Sequence, residues 1–391
     1  MNLEFNEDQR LLFETVDSAV GRGYPAGGRA AATATGLGWN DKVWATLGEL
    51  GLTGLTVAED LDGVGAGPVE VYATLEAMGK HAAAEPLLDG VFLPSWLIAG
   101  LGTAEQAKQL LPELAAGGTT IAVAHAEPGR PWGTARAVTA TADGSGPALL
   151  TGVKSPVRHA DQAGRFLVTA TGEHGRTQVY LVDAAAEGIT RTDGRSADWS
   201  HASQVEFAGT PAVLLGSGDA DAAAALRLAF ARARVAVTGE AVGLMETGLA
   251  LTVEYLKTRK QFGVPLATFQ ALVHRAADLY AKVELARSMA LWATAAVEAH
   301  DNGADVDLAT VADDAFVFVA DAATTAAEEI VQLHGGIGMT YESEVGHHSA
   351  RLTAITESFG GVSAARRRAL ASDALLRPPS ALLNNAEAVT L

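Results

Sequence analysis

Few side chains in this sequence stand where they could do chemistry, and two of them share one stretch. Glu240 is a lone carboxylate in the apolar run Val235-Ala236-Val237-Thr238-Gly239-Glu240-Ala241-Val242-Gly243-Leu244-Met245. Burial penalises the charged form of a carboxylate and makes it a stronger proton acceptor, and Gly239 and Gly243 let another group come close. The same residue can instead bond a backbone group or an arginine on a neighbouring helix. Arg259 ends the same helical stretch, beside the turn Lys260-Gln261-Phe262-Gly263. From a helix end a guanidinium can reach a diphosphate and bind it bidentately, or lie solvated at the surface. His347 and His348 could suggest a metal, but neighbours on a helix point about 100° apart and no acid cluster accompanies them, so no metal is assigned.

Composition narrows the classes. The 391 residues carry a net charge of −18, which disfavours a nucleic-acid backbone as ligand and makes Arg259 a local exception in an acidic chain. With no cysteine, disulfides, zinc-thiolate sites, iron-sulfur clusters and thiol nucleophiles are all excluded. The start, Met1-Asn2-Leu3-Glu4-Phe5-Asn6-Glu7-Asp8, is acidic where a signal peptide needs basic residues, and no apolar run reaches the roughly 20 residues of a membrane span. The expected location is the cytoplasm, with no membrane contact.

The elements that must hold these residues follow from periodicity. Residues 5 to 115 read as helices broken by Gly-rich turns, including one within the stretch Val43 to Leu52, stopped by a Gly, a loop over Asp60 to Pro68, and a helix running up to Gly79. From about 118 the pattern turns to short β-branched runs at Thr119–Val123, Arg165–Ala170 and Gln178–Val182. After Gly216 long Ala-rich amphipathic stretches return at 219–258, 267–300 and 306–333. The expected fold class is α+β. Its domains are a helical one over 1–117, a β domain over 118–217, a helical one over 218–377, and a loosely ordered tail over 378–391.

Three segments then carry a resemblance. Tyr255-Leu256-Lys257-Thr258-Arg259-Lys260-Gln261-Phe262-Gly263-Val264-Pro265-Leu266, with Phe269-Gln270 and His274 after it, resembles the arginine-glutamine-phenylalanine-glycine signature of acyl-CoA dehydrogenases. Gln332-Leu333-His334-Gly335-Gly336-Ile337-Gly338 is similar to that family's second flavin-contacting loop, and the N-terminal Gly48–Leu55, Gly102–Gln106 and Leu111-Pro112 agree too. The similarity spans residues 3 to 375. It implies an N-terminal helical domain, a middle antiparallel β-barrel and a C-terminal four-helix bundle. It also implies FAD contacts from Arg259, Gln261, Phe262, Gln270, Gln332, Gly335 and Gly336, made to a cofactor held mainly by a neighbouring subunit, hence an obligate dimer or tetramer. The chemistry implied is proton removal α to an acyl-CoA thioester, with hydride passing from the β-carbon to the flavin and electrons then to an electron-transfer flavoprotein.

The catalytic pattern departs from the family. Over Arg351-Leu352-Thr353-Ala354-Ile355-Thr356-Glu357-Ser358-Phe359-Gly360-Gly361 the usual base position falls on Gly360, with Glu357 about one turn early, and the second family location falls on Ala233. Glu240, two turns beyond Ala233 on the same face, is the first candidate base and Glu357 the second. Arg234 matches an arginine near the family's catalytic centre that fixes active-site geometry and the acyl-CoA. In the β domain, Ala126-Glu127-Pro128-Gly129-Arg130-Pro131-Trp132-Gly133 only partly resembles the substrate loop, and Lys154-Ser155-Pro156-Val157-Arg158 replaces a tryptophan-bearing strand that shields the flavin. Trp132 stands near either as a substitute shield or as a plain core or surface residue. These departures, with Gly336 to Glu342, His347-His348 and Arg351-Leu352, resemble the small subunits of pimeloyl-CoA-type and actinobacterial steroid-type dehydrogenases, which pair with unlike chains. A non-catalytic partner subunit and a relative with other flavin chemistry stay open beside the active dehydrogenase. So does room for a bulky acyl chain beside Gly239, Ala241 and Gly243.

Overall fold

The computed structural model describes residues 4–25, 28–133, 136–141, 147–218, 221–340 and 342–371; Tyr341 and the tail expected over 378–391 lie outside them. Eleven α-helices and nine strands are described, in the order helical, β, helical that the sequence predicts. Their contacts group the chain into two units rather than three. One comprises 1–31, 67–83 and 234–391; the other comprises 32–66 and 84–233. The stretch 1–117 is therefore divided between units, because its helices bury their apolar faces against different neighbours.

The first unit is helical. α1 (Glu7–Gly23) opens on a capping box between Asn6 and Gln9. It packs on α4 (Pro68–Lys80), which packs in turn on α8 (Gln270–Asp301). α8 lies along α9 (Leu308–His334), and α10 (Glu344–Thr356) and α11 (Gly361–Ala371) lie against α9. Nine consecutive residues of α4, Val71 to Gly79, are buried, so this helix has no solvent face and must be enclosed by others. The part of α7 (Ala223–Thr258) from Arg234 onward belongs here. Its Gly239 and Gly243 admit the α4 backbone: a Cβ at Gly243 would lie 2.1 Å from the Glu76 carbonyl oxygen, and one at Gly239 would lie 2.9 Å from that of Tyr72. The space these glycines leave is filled by α4, not held open for an acyl chain.

The second unit contains the β domain, with residues 32–34 of α2 (Gly28–Ala34) and with α3 (Asp41–Glu49), α5 (Leu93–Leu101) and α6 (Ala104–Ala115). The strands are β1 (Ile121–Ala124), β2 (Thr139–Thr141), β3 (Ala148–Arg158), β4 (Arg165–Thr171), β5 (Thr177–Asp183), β6 (Ile189–Arg195) and β7 (His201–Leu214). Neighbours run β4–β2–β3–β7–β5, and β5 returns to pair along β4, which closes the ring. Closure removes exposed edges and encloses Leu150, Val157, Phe166, Tyr180 and Phe207. The ladders are mostly antiparallel as expected, with a correction at β4, which pairs parallel with both β1 and β2. The chain between those strands is long enough to return in the same direction. β7 alternates buried and exposed residues over much of its 14-residue length, as a half-solvated strand does.

Candidate functional site

α7 ends at Thr258, and the chain turns back through a small hairpin of β8 (Lys260–Gln261) and β9 (Val264–Pro265). Phe262 and Gly263 form its two-residue loop with φ of 53° and 84°, the signature of a primed turn. Across from it, α9 ends at His334 and passes through Gly335, at φ 66°, into a short 3-10 turn over Gly335–Met339. Between these ends lies an open cavity of about 470 Å³, lined by Arg259, Gln261, Gln332, Gly335 and Gly336 with Tyr255, Leu266, Leu272, Leu333, His334 and Ile337. Five of the seven expected cofactor residues thus meet at one site. Phe262 and Gln270 do not line it: Phe262 is 91% exposed at the hairpin tip, and Gln270 is exposed at the start of α8.

The backbone of Arg259 is pinned on both sides. Its N–H donates to the Tyr255 carbonyl at 2.8 Å, and its carbonyl accepts from the Leu266 N–H at 2.9 Å. The guanidinium stands at the C-terminal, negative end of α7, where a cation is favoured. Among the described residues no carboxylate pairs with it, whereas Arg275, Arg287, Arg351, Arg366 and Arg368 are all paired. A Cβ built at Gly335 or Gly336 would meet no atom within 4 Å, so this backbone faces open space. The arrangement suits an anion near Arg259 and a close-lying ligand against the glycine loop.

The interior around Glu240 is arranged in the opposite way. Glu240 is buried, but it is not a lone carboxylate: Arg351 of α10 holds it bidentately, Nε to Oε1 at 2.5 Å and Nη2 to Oε2 at 2.8 Å. Both oxygens are engaged, which makes the residue an anchor between α7 and α10 and corrects the expectation of a free, desolvated base. Of the readings open in the sequence, the interhelical arginine is the one found. Arg234 is paired by charge, although its buried Nε makes no hydrogen bond among the described residues. Its Nε lies 2.9 Å from Asp313 Oδ1, and Arg368 grips the same carboxylate through two bonds of 2.8 Å. Burial pulls the Arg234 guanidinium down to about 10, opposed by Asp313, so it stays charged at neutral pH. Nearby Arg287 bridges Glu76 at 2.7 Å and also Glu246.

The family model described as acyl-CoA dehydrogenase, N-terminal domain, matches residues 6–118, and the one for the C-terminal domain matches residues 223–375. Acyl-CoA dehydrogenase FadE12 of Mycobacterium tuberculosis is 32% identical over 331 residues, covering 80% of this chain and 83% of its own. The chain belongs to the acyl-CoA dehydrogenase family. FadE27 of the same organism is 30% identical over 338 residues, covering 84% of this chain and 86% of its own. Among solved structures, a single-residue variant of the Tcur3481-Tcur3483 steroid ACAD superposes with a TM-score of 0.84 at 30% identity, over 93% of this chain and 96% of that one. The ChsE4-ChsE5 complex from Mycobacterium tuberculosis does so with a TM-score of 0.85 at 26% identity, over 97% and 100%.

The departures of this chain from the family pattern have local explanations. Ala233 is fully buried in the packing of α7. Gly360 lies in a turn where three successive residues, Phe359, Gly360 and Gly361, take φ of 51°, 94° and 74°; Glu357 caps α10 just before it and is exposed. In the β unit, buried Lys154 donates to Glu127 Oε1 at 2.7 Å, to the His125 carbonyl and to Thr169 Oγ1. Trp132 packs against His125 and Phe230 at ring-centroid distances of 4.4 and 5.0 Å, which makes it a packing residue of this unit. Burial, then the charges of Arg136 and Lys154, hold the His125 imidazole well below its usual range and therefore neutral. The paired histidines of α10 are buried, and both ring nitrogens of His348 face carbonyl oxygens, of Glu344 at 3.0 Å and Lys80 at 3.1 Å. No helix of the described residues is long and apolar enough to cross a membrane.

Two residues of consequence were given no role by sequence reasoning. Arg351 served only as a landmark, and nothing local signals that it reaches a carboxylate 111 residues earlier. His334 sits inside the quoted glycine-loop motif, but a histidine at the end of an apolar helix gives no sign of which way its ring faces. In the fold it lines the cavity and stacks on Tyr255, with ring centroids 4.5 Å apart and planes 25° apart.

Proposed function

We propose that this chain works in the FAD-dependent α,β-dehydrogenation of an acyl-CoA thioester, with electrons leaving to an electron-transfer flavoprotein. It does so as the cofactor-gripping member of a dimer or tetramer in which an unlike subunit supplies the base. The observation that carries this reading is the contrast in charge pairing: among the described residues Arg259 meets no carboxylate at an open cavity, while Glu240 is held by Arg351 and Arg234 lies in a charge cluster with Asp313 and Arg368. Two of the similar solved proteins bear the names of paired chains, Tcur3481-Tcur3483 and ChsE4-ChsE5, which supports an unlike-subunit assembly.

The residues present fit FAD. Arg259 would take its diphosphate in a bidentate, charge-assisted grip, Gln261 and Gln332 offer amide donors and acceptors, and the Gly335-Gly336 backbone admits close approach. Phe262 and Gln270, which are exposed and do not line the cavity, would serve a neighbouring subunit's cofactor. Bound there, FAD supplies the hydride acceptor. Arg234 keeps its role as a positioning residue through Asp313, fixing α7 against α9.

A second reading keeps the chemistry within the chain, with Glu357 as base. It is favoured by the run of positive φ values beside that residue, because backbone strain concentrates at functional sites.

The test is an anaerobic titration of the purified chain with a panel of acyl-CoAs, following flavin absorbance in the parent, Glu240→Gln and Glu357→Gln. Isolated chain that does not bleach, and bleaches once an unlike family chain is co-purified with it, is the expected result. Bleaching by the chain alone that disappears only in Glu357→Gln moves the base to that residue. Loss only in Glu240→Gln, with the fold intact, would return the base to Glu240.

A further inference from the structure

Among the buried titratable groups that the cofactor reading leaves unused, His348 of α10 stands at a joint between helices. Its ring is fully buried, with Nδ1 3.0 Å from the Glu344 carbonyl oxygen and Nε2 3.1 Å from that of Lys80. A carbonyl only accepts, and a neutral imidazole has one N–H to give. With that proton on Nδ1 the ring bonds the preceding turn of its own helix. With it on Nε2 the ring bonds Lys80, the last residue of α4, and ties the two helices together.

The joint is built to hold a neutral ring. No carboxylate bonds the imidazole among the described residues, and none of its surface reaches solvent. Burial holds it below its usual range, against the two carbonyls and the Glu344 charge and aided by Arg29 of α2. Arg29 cannot swing away, because its Nη1 is pinned on the Ala82 and Ala83 carbonyls just past α4. The side chains at the end of α4 turn instead to α1, where Asp17 holds Lys80 Nζ at 2.8 Å and His81 Nε2 at 2.7 Å. One turn further along α10, Arg351 is spent on Glu240. His348 is therefore neutral at pH 7 and gains its second proton only on acidification.

We propose that His348 is an acid-operated release between α10 and α4. A proton added to the ring places a cation in the interior with no counter-ion in contact, and the ring regains water only when α10 parts from the end of α4. Arg351 and Glu240 keep α10 on α7 meanwhile, so the opening is local. Because α10 lies between the glycine turn of the cavity and Glu357, acid loosens the segment that joins them. The sign follows from linkage: the closed joint binds this proton less tightly than the opened one, so its stability is complete above 6.5 and is lost as the pH falls below that value.

The experiment is hydrogen-exchange mass spectrometry on the full chain from about pH 7.5 to about 5, the span in which histidine titrates, corrected for the intrinsic exchange rate at each pH. In the parent, α10 peptides should lose protection as the pH falls, while those of α8 keep theirs. His348→Phe and His348→Gln cannot titrate, and their α10 should show no such dependence. His81→Gln, which removes the histidine held by Asp17, should keep the parent's behaviour. Protection of α10 that does not change with pH in the parent, that falls together with α8, or that falls alike in both His348 variants overturns the proposal. If neither His348 variant folds, His81→Gln still decides: loss of the pH dependence there assigns the proton to His81 and overturns the role of His348.

Discussion

The cavity at the end of α7 and the interior around Glu240 share helices α7, α8 and α9, yet they treat charge in opposite ways. Inside, the three buried carboxylates among the described residues of the helical unit each have a cation: Glu240 has Arg351, Asp313 has Arg234 and Arg368, and Glu76 has Arg287. At the cavity, Arg259 is left without a carboxylate among the described residues of a chain carrying a net charge of −18. The difference teaches where to look for a ligand. Burial alone does not make a carboxylate a base, since desolvation is often answered by a partner from a distant part of the chain. An unanswered charge at a lined opening is the stronger sign.

Paired substitutions sharpen this contrast most. Arg351→Gln strands the Glu240 charge in the interior and should lower stability by about 3–5 kcal/mol, read from denaturant or thermal unfolding. Arg259→Gln should leave stability within about 0.5 kcal/mol, as exposed side chains do, and instead weaken binding of FAD or ADP by roughly 30-fold or more. The reverse pattern, a stable Arg351→Gln and a destabilised Arg259→Gln, would break the comparison.

The β unit extends the rule to a buried cation. Burial lowers Lys154 from 10.5 to about 8, despite its bond to Glu127. The folded chain therefore binds this proton less tightly than the unfolded chain, so between these two values the unfolded chain holds more protons and stability rises with pH. The contribution is complete above 10.5 and is lost as the pH falls through 8. It amounts to about 3 kcal/mol across that window. Unfolding midpoints of parent and Lys154→Gln, compared from pH 7 to 11, should converge or cross in the parent's favour as pH rises. A difference that stays constant with pH would mean that Lys154 titrates alike in both states.

What could be read beforehand follows from the range of each signal. The long amphipathic stretches appear as α7, α8 and α9, and the β-branched runs as β1, β4 and β5, because periodicity is local. The cavity lining of Arg259, Gln261, Gln332, Gly335 and Gly336 was named through the family resemblance, and only Arg259 was also argued from its own chemistry at a helix end. β3 and β7 were not: Lys154, Pro156, Gly209 and Pro211 interrupt the expected run of β-branched residues, and their pairing depends on a ladder across the barrel. An interhelical arginine for Glu240 was among the readings open, but which arginine it is, and that the His334 ring stacks on Tyr255, were out of reach, since each depends on a group that only folding brings near.

Gly243 decides between the two accounts of the small residues beside Glu240. If they shape a substrate pocket, Gly243→Ala should leave stability unchanged and narrow the range of acyl chains accepted by the assembled enzyme. The packing predicts otherwise. The added methyl would sit 2.1 Å from the Glu76 carbonyl oxygen and 2.9 Å from the Lys80 nitrogen, both backbone atoms of a helix buried along most of its length. Neither can swing aside as a side-chain end would, so α4 must move as a body and loosen its fit to α7. The expected cost is about 1–3 kcal/mol in unfolding free energy, with acyl-chain preference unaltered. A stable Gly243→Ala with a changed preference would put substrate, rather than α4, against this face of α7.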